Sequence, residues 1–272
     1  MKKFLSAALA ALFALSLTGC GAPASSGVTV ATADTAEEPV ELVVFAAASL
    51  TETLTEIAAD YEAAHPDITL TFNFDSSGTL KTQVEEGAAC DVFLSAAEKQ
   101  MDQLDALDLV NDATRLDLLE NRVTLCVPEG NPAGIESFAD LAARLSAGDI
   151  LLAMGNSDVP VGQYTQKILS YYGLDEAALA AAGVLTYGSN VKEVTTQIAE
   201  GSVDCGVVYA TDAFSAGLAV VDTATAELCG QVLYPAAVLN TSAHPEEARA
   251  FLDYLSTPEA MAVFGLVGFT AP

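Results

Sequence analysis

The strongest constraint on the fold is a rhythm that recurs along the chain: a short apolar run, a small polar or glycine-bearing segment, then apolar residues at helical spacing. ELVVFAAA (41–48) has the composition of a buried strand, and Leu50, Leu54, Ile57, Ala58 and Tyr61 follow at the intervals of one helix face. His65-Pro66 ends that helix. ITLTFNF (68–74) alternates Ile68, Leu70, Phe72 and Phe74 with Thr69, Thr71 and Asn73. A helix to Glu86, stopped by Gly87, leads to a third strand, CDVFLSA (90–96), and to helical residues 97–107. The pattern then repeats, with strands at 122–132, 149–154, 203–210 and 231–239 and helices at 137–145, 161–172, 191–200, 245–255 and 258–264. Such alternation predicts an α/β protein with parallel sheets. Neither half accounts for the whole body, so the expected organisation is two α/β lobes. Residues 40–120 plus 232–272 form the first and 121–231 the second, with the chain crossing near 118–127 and returning near 231–238.

The residues ahead of the body read differently. Lys2 and Lys3 precede an apolar run, Phe4 to Leu17, that is broken only by Ser6 and Ser16. The run is too short to span a bilayer as an ordinary helix and reads as a signal peptide over residues 1–19. Leu17-Thr18-Gly19-Cys20 resembles a bacterial lipobox, which implies cleavage before Cys20 and lipidation of its thiol. The expected location is therefore extracytoplasmic, anchored to the cell membrane. Gly21 to Pro39 is rich in Ala, Gly, Ser, Thr and Pro, so that residues 20–39 read as the lipidated Cys20 and a flexible tether. As a coil the tether would average roughly 25 Å end to end.

Charge and residue inventory narrow the function classes. The formal net charge is −27 with only 10 Lys and Arg and no basic run, which argues against nucleic acid as a partner. His65 and His244 each precede a proline, and neither a Gly-x-Ser-x-Gly elbow nor a phosphate-binding P-loop occurs. The expectation is a binding protein, with no catalytic residues, no cofactor and no direct metal ligands. Cys90, Cys126, Cys205 and Cys229 permit disulfides outside the cytosol. Buried free thiols fit equally well, because Cys90, Cys126 and Cys205 sit in apolar runs.

Three helix starts share one grammar. Ser49-Leu50-Thr51-Glu52 matches a capping box, Asn190-Val191-Lys192-Glu193 has the same form, and Asp75-Ser76-Ser77-Gly78 offers small hydroxyls with a glycine. Each follows the carboxyl end of a strand, where open α/β sheets bind ligands. A helix start presents unpaired N–H groups and the positive end of the helix dipole, and with serine hydroxyls it suits an anion. A serine before a helix is most often only a cap, so these residue patterns leave Ser49, Ser77 and the 190–191 start shared between capping and anion binding.

The same residues begin a family resemblance. Val44-Phe-Ala-Ala-Ala-Ser-Leu-Thr51, Asp75-Ser-Ser-Gly-Thr-Leu80, Cys90-Asp-Val-Phe-Leu-Ser-Ala96, Gly155-Asn-Ser-Asp-Val-Pro-Val-Gly162, Asn190-Val-Lys-Glu-Val194, Gly206-Val-Val-Tyr-Ala-Thr-Asp212, Tyr234-Pro235 and Gly268-Phe-Thr270 follow in order across 41–270. As a set they resemble the molybdate-binding proteins of ABC importers. The resemblance implies a periplasmic-binding-protein-like fold (type II), two α/β lobes joined by a hinge with the ligand cleft between them. It implies oxyanion contacts from Ser49 and Ser77 by hydroxyl and N–H, from Val161 and Val191 by N–H, and from Tyr209 by its phenol. It further implies molybdate or tungstate as ligand, an ABC transporter permease as partner, and a monomer. Phosphate or sulfate as the oxyanion, or a tethered sensor or interaction protein, are the alternative readings. Asp75 departs from the small residue commoner at its place, and it is expected to face outward as a helix-start carboxylate. Lys81 and Lys192 are expected to be solvated.

Overall fold

The run at 41–48 is apolar on both sides because its strand is covered on both faces. In a computed structural model describing residues 39–272, β1 (Val40–Ala47) sends Leu42, Val44 and Ala46 into one core cluster and Phe45 into another. The expected signal peptide, the lipidation site Cys20 and the tether through residue 38 lie outside the described residues.

After β1 a 3₁₀ turn (Ala48–Leu50) leads to α1 (Thr51–Ala64), β2 (Ile68–Asp75), α2 (Ser77–Glu85), β3 (Val92–Leu94), α3 (Glu98–Asp105) and β4 (Leu116–Asn121). The middle of the chain forms β5 (Val123–Val127), α4 (Phe138–Ala147), β6 (Leu152–Gly155), α5 (Pro160–Tyr171), α6 (Glu176–Ala181) and β7 (Leu185–Gly188). It continues through α7 (Val191–Ala199), β8 (Cys205–Tyr209), α8 (Ala210–Ser215), β9 (Ala219–Thr223) and α9 (Ala226–Cys229). β10 (Val232–Val238), α10 (Pro245–Leu255) and α11 (Pro258–Val267) close the chain.

Two five-stranded sheets result, ordered β2-β1-β3-β10-β4 and β7-β6-β8-β5-β9. They are mixed, which corrects the expectation of parallel sheets. β1 runs parallel to β2 and β3 while β10 is antiparallel to β3 and β4, and β6 runs parallel to β7 and β8 while β5 is antiparallel to β8 and β9. The reason is the crossing. β4 ends at Asn121 and β5 begins at Val123, so the chain leaves the first sheet at a strand's carboxyl end and enters the second from the same side. The entering strand must then run away from that side. β10 repeats this on the return. Each sheet therefore carries one reversed strand, and the carboxyl ends of the others face a common cleft.

Burial within this frame is extensive. Aromatic packing of Tyr61 on α1 against Phe251 on α10, with ring centroids 5.0 Å apart, ties the first helix to the chain's last segment. Buried Asp91 accepts the Val43 N–H at 2.8 Å and the Ser242 hydroxyl at 2.6 Å, pinning β1 to the loop after β10. Cys90, Cys126, Cys205 and Cys229 are buried free thiols. Burial pushes the Cys90 and Cys205 thiols up to about 12, so they are inert at neutral pH.

Candidate functional site

The starts of α2, α5 and α7 and the 3₁₀ turn before α1 converge on one small cavity. From the first sheet's side it is lined by Ala47, Ala48, Ser49, Asp75, Ser76, Ser77 and Ala96, and from the second's by Val159, Pro160, Val161, Val191 and Tyr209. All five residues named from the sequence thus border a single space, and among the described residues no lysine or arginine does. A larger groove bordered by Lys99, Lys167, Tyr171 and Glu227 contains none of the five.

Local structure leaves each of these groups with a donor to spend. Ser76 is the cap of α2, its Oγ accepting the Thr79 N–H at 3.1 Å. Ser77 therefore occupies the first helical position, where its N–H has no intrahelical acceptor. The Ser77 Oγ accepts the Ala96 N–H at 2.9 Å, which leaves the hydroxyl proton to donate elsewhere. Val161 is the second residue of α5, after Pro160, whose missing N–H would be unpaired there in any case. Val191 opens α7, capped by Asn190 through a 3.1 Å bond from the Glu193 N–H. Glu193 in turn accepts the Ser189 N–H at 2.7 Å rather than that of Asn190.

Ser49 departs from the sequence reading. It caps nothing: it lies within the 3₁₀ turn, α1 starts after Leu50 with no side-chain cap, and Glu52 points to Lys192 instead of closing a capping box. The Ser49 Oγ lies 2.9 Å from the Tyr234 phenol, and Asn121 Nδ2 donates to that same phenol oxygen at 3.1 Å and to Thr211 Oγ1 at 2.9 Å. With its oxygen already accepting from Asn121, Tyr234 is free to donate to Ser49 and so release the serine proton toward the cavity. Burial pushes the Tyr209 and Tyr234 phenols well above their ordinary value, so both remain protonated donors across the physiological range. The Tyr209 hydroxyl donates a long 3.4 Å bond to the Ala96 carbonyl. The role of Tyr234 carried one sequence signal, a phenol inside an otherwise apolar strand, since a buried Tyr O–H needs a partner.

Two charged residues also differ from expectation. Asp75 does not face away: it borders the cavity, and its Oδ1 accepts the Ser76 N–H at 2.7 Å and the Asn190 amide at 3.3 Å. Lys81 pairs with Glu85 one turn on. Lys192 is not free in solvent: it bridges Glu52 on α1 at 2.8 Å and Asp212 on α8 at 3.2 Å. Burial pulls the Lys192 ammonium down, but the two carboxylates outweigh it and its pKa is raised.

A Cβ on Gly78 would stand 2.1 Å from the Asp158 carbonyl oxygen, backbone of α2 against backbone of the loop before α5. Gly78→Ala should hold the sheets apart without weakening the helix, leaving the melting temperature of the free protein unchanged while small-angle scattering reports a more open particle. Asp212 is fully buried, and burial pushes its carboxyl up to about 6 against the pull of Lys192. A carboxyl that holds its proton more tightly when folded adds stability that is complete below its ordinary 3.8 and is lost as pH rises through about 6. Asp212→Asn should remove that component, at most about 3 kcal/mol. Thermal unfolding followed by circular dichroism should then show a smaller fall in stability from pH 4 to 7 than in the unsubstituted protein.

Similarity to known proteins runs the length of this body. The model of a family described as bacterial extracellular solute-binding protein matches residues 42–270. A Bacillus subtilis (strain 168) protein, provisionally named an ABC transporter substrate-binding lipoprotein, is 36% identical over 276 residues, covering 100% of both chains. The molybdate-binding protein ModA of Haemophilus influenzae is 32% identical over 233 residues, covering 85% of this chain and 90% of its own. The solved periplasmic molybdate-binding protein of Azotobacter vinelandii superposes with a TM-score of 0.73 at 22% identity, over 85% of this chain and 99% of that one, which speaks to the fold. The chain belongs to the bacterial extracellular solute-binding protein family.

Proposed function

We propose that this solute-binding protein captures a tetrahedral oxyanion, molybdate or tungstate, in the cavity between its two sheets and delivers it to the permease of an ABC importer. The observation that carries the reading is the lining itself: hydroxyls and helix-start N–H groups from both sheets, with no cationic side chain among the described residues. Relatives named as molybdate-binding proteins support it. In this reading Ser49 and Ser77 donate by hydroxyl and N–H, Val161 and Val191 by N–H, and Tyr209 by its phenol. Cys20 carries the lipid that holds the protein, a monomer, at the outer face of the membrane. The protein turns nothing over; its work is capture and release.

The chemistry suits such an ion. Molybdate bears four oxygens that only accept hydrogen bonds, so a cage of neutral donors matches it without misplaced protons. Each bond from N–H or O–H to a charged oxygen contributes about 1.5–3 kcal/mol net. Several together offset dehydration of the ion, although the chain carries −27 overall. Remote carboxylates are screened beyond a Debye length of about 8 Å, whereas the donors are in contact. Because the donors come from both sheets, only the closed arrangement satisfies the whole ion, and binding shifts the population toward closure.

One observation favours a second reading. Asp75 borders the cavity, and a carboxylate there would accept a hydrogen bond from the O–H of hydrogen phosphate while repelling an unprotonated dianion. Isothermal titration with molybdate, tungstate, sulfate and phosphate separates the two. Tight binding of molybdate and tungstate alone is expected, and preference for phosphate would reassign the ligand. Ser77→Ala, and likewise Ser49→Ala, should weaken binding by about one to two powers of ten, the loss of one charge-assisted bond. Unchanged affinity in both variants would refute the assignment of the donors.

A further inference from the structure

Val191 is flanked by two side chains that leave their own lobe. Asn190 uses its Oδ1 to cap α7, accepting the Glu193 N–H at 3.1 Å, and sends its Nδ2 across to Asp75 Oδ1 at 3.3 Å, at the end of β2. Lys192 sends its ammonium to both carboxylate oxygens of Glu52 on α1, each at 2.8 Å. Asp75 lies two residues before Ser77 and Glu52 three residues after Ser49. The first turn of α7 is thus tied on one side to the segment holding one serine and on the other to the segment holding the second.

The lysine is not a loose surface charge. Its ammonium lies 3.2 Å from Asp212 Oδ1, off the line of a well-formed hydrogen bond, and neither carboxylate oxygen of Asp212 has a hydrogen-bond donor among the described residues. A buried carboxylate without other donors holds its one countercharge in place. Asp212 therefore aims Lys192 at Glu52 before the cleft closes, which lowers the conformational entropy lost when the bridge forms.

We propose that Asn190 and Lys192 are positioning residues that strap the α7 start to the opposite lobe, through Asp75 and Glu52, and thereby set how long a bound oxyanion is retained. The inference rests on the oxyanion reading of the cavity. Neither side chain needs to touch the ion. Each bond exists only when the lobes meet, so breaking it acts on opening and hence on the dissociation rate. The encounter of ion with open cleft is left nearly as before.

The test separates strap from structure. Removing Lys192 would strand Asp212 and risk misfolding, so the informative substitutions are Glu52→Gln, which keeps the Lys192–Asp212 pair, and Asn190→Ser, which keeps a capping oxygen but loses the crossing amide. With tungstate as probe in stopped-flow, followed by tyrosine fluorescence, each variant should release the ion several-fold faster and the double variant about tenfold or more. Association should change less than about twofold, and the ligand-free melting temperature should hold. Rising sodium chloride should speed release from the unsubstituted protein and from Asn190→Ser, and do so less in Glu52→Gln, where the charged strap is gone. If the unsubstituted protein binds tungstate and the double variant releases it at the same rate, the straps are refuted while the site reading stands. If the unsubstituted protein binds none, the site reading fails and the straps are judged on closure alone. Spin labels at Thr55→Cys and Thr196→Cys should then show a longer, broader distance distribution in the double variant, and an unchanged distribution overturns the proposal.

Discussion

Everything in this molecule is arranged around backbone N–H groups that a helix cannot use itself. The first turn of a helix leaves its N–H groups without acceptors, and an α/β sheet delivers one such turn after each strand. Here the starts of α2, α5 and α7 and the turn before α1 are brought to one cavity with no lysine or arginine among the described residues of its wall. The mixed sheets serve that end. Because the chain both leaves and re-enters each sheet at the cleft, one strand in each is reversed, and the remaining strands keep their carboxyl ends and the following helix starts at the cleft.

The hydroxyls are tuned by what stands behind them. Ser77 accepts from the Ala96 N–H, and Ser49 lies at the end of a line from Asn121 through Tyr234. Ser77 accepts one bond from behind and Ser49 is held against a phenol whose oxygen already accepts from Asn121, so each hydroxyl hydrogen can point at an acceptor-only ligand. An anion site on a chain of net charge −27 gains from such order, because neutral donors in contact outweigh screened charges at a distance.

Much of this was legible in the sequence, and what was missed has physical causes. The inner strands read well because burial on both faces makes them apolar runs, and β2 reads well because Ile68 to Phe74 alternates cleanly. β4, β7 and β9 do not stand out in the sequence: all three are sheet edges and carry polar or exposed residues such as Asp117, Tyr187 and Asp222. The Asn190 start was recognisable from capping residues, and Ser76 proved to be the cap that exposes Ser77. Ser49 looked like a cap and is not one, because the chain inserts a 3₁₀ turn before the helix proper. Val161 and Tyr209 carried no local signal, since a backbone N–H is the same for any residue and a tyrosine ending a strand usually belongs to the core. The Glu52–Lys192–Asp212 and Asn121–Tyr234 contacts join residues far apart in the chain, which no local pattern reveals.

The most direct test of the neutral-donor cage is a crystal structure of residues 40–272 grown with tungstate, with the metal located by its anomalous scattering. One strong peak is expected between the starts of α2, α5 and α7, with ligand oxygens within hydrogen-bond distance of the Ser49 and Ser77 hydroxyls, the Val161 and Val191 N–H groups and the Tyr209 phenol. A peak elsewhere, or an ion held in that cavity by a lysine or arginine side chain, would contradict it.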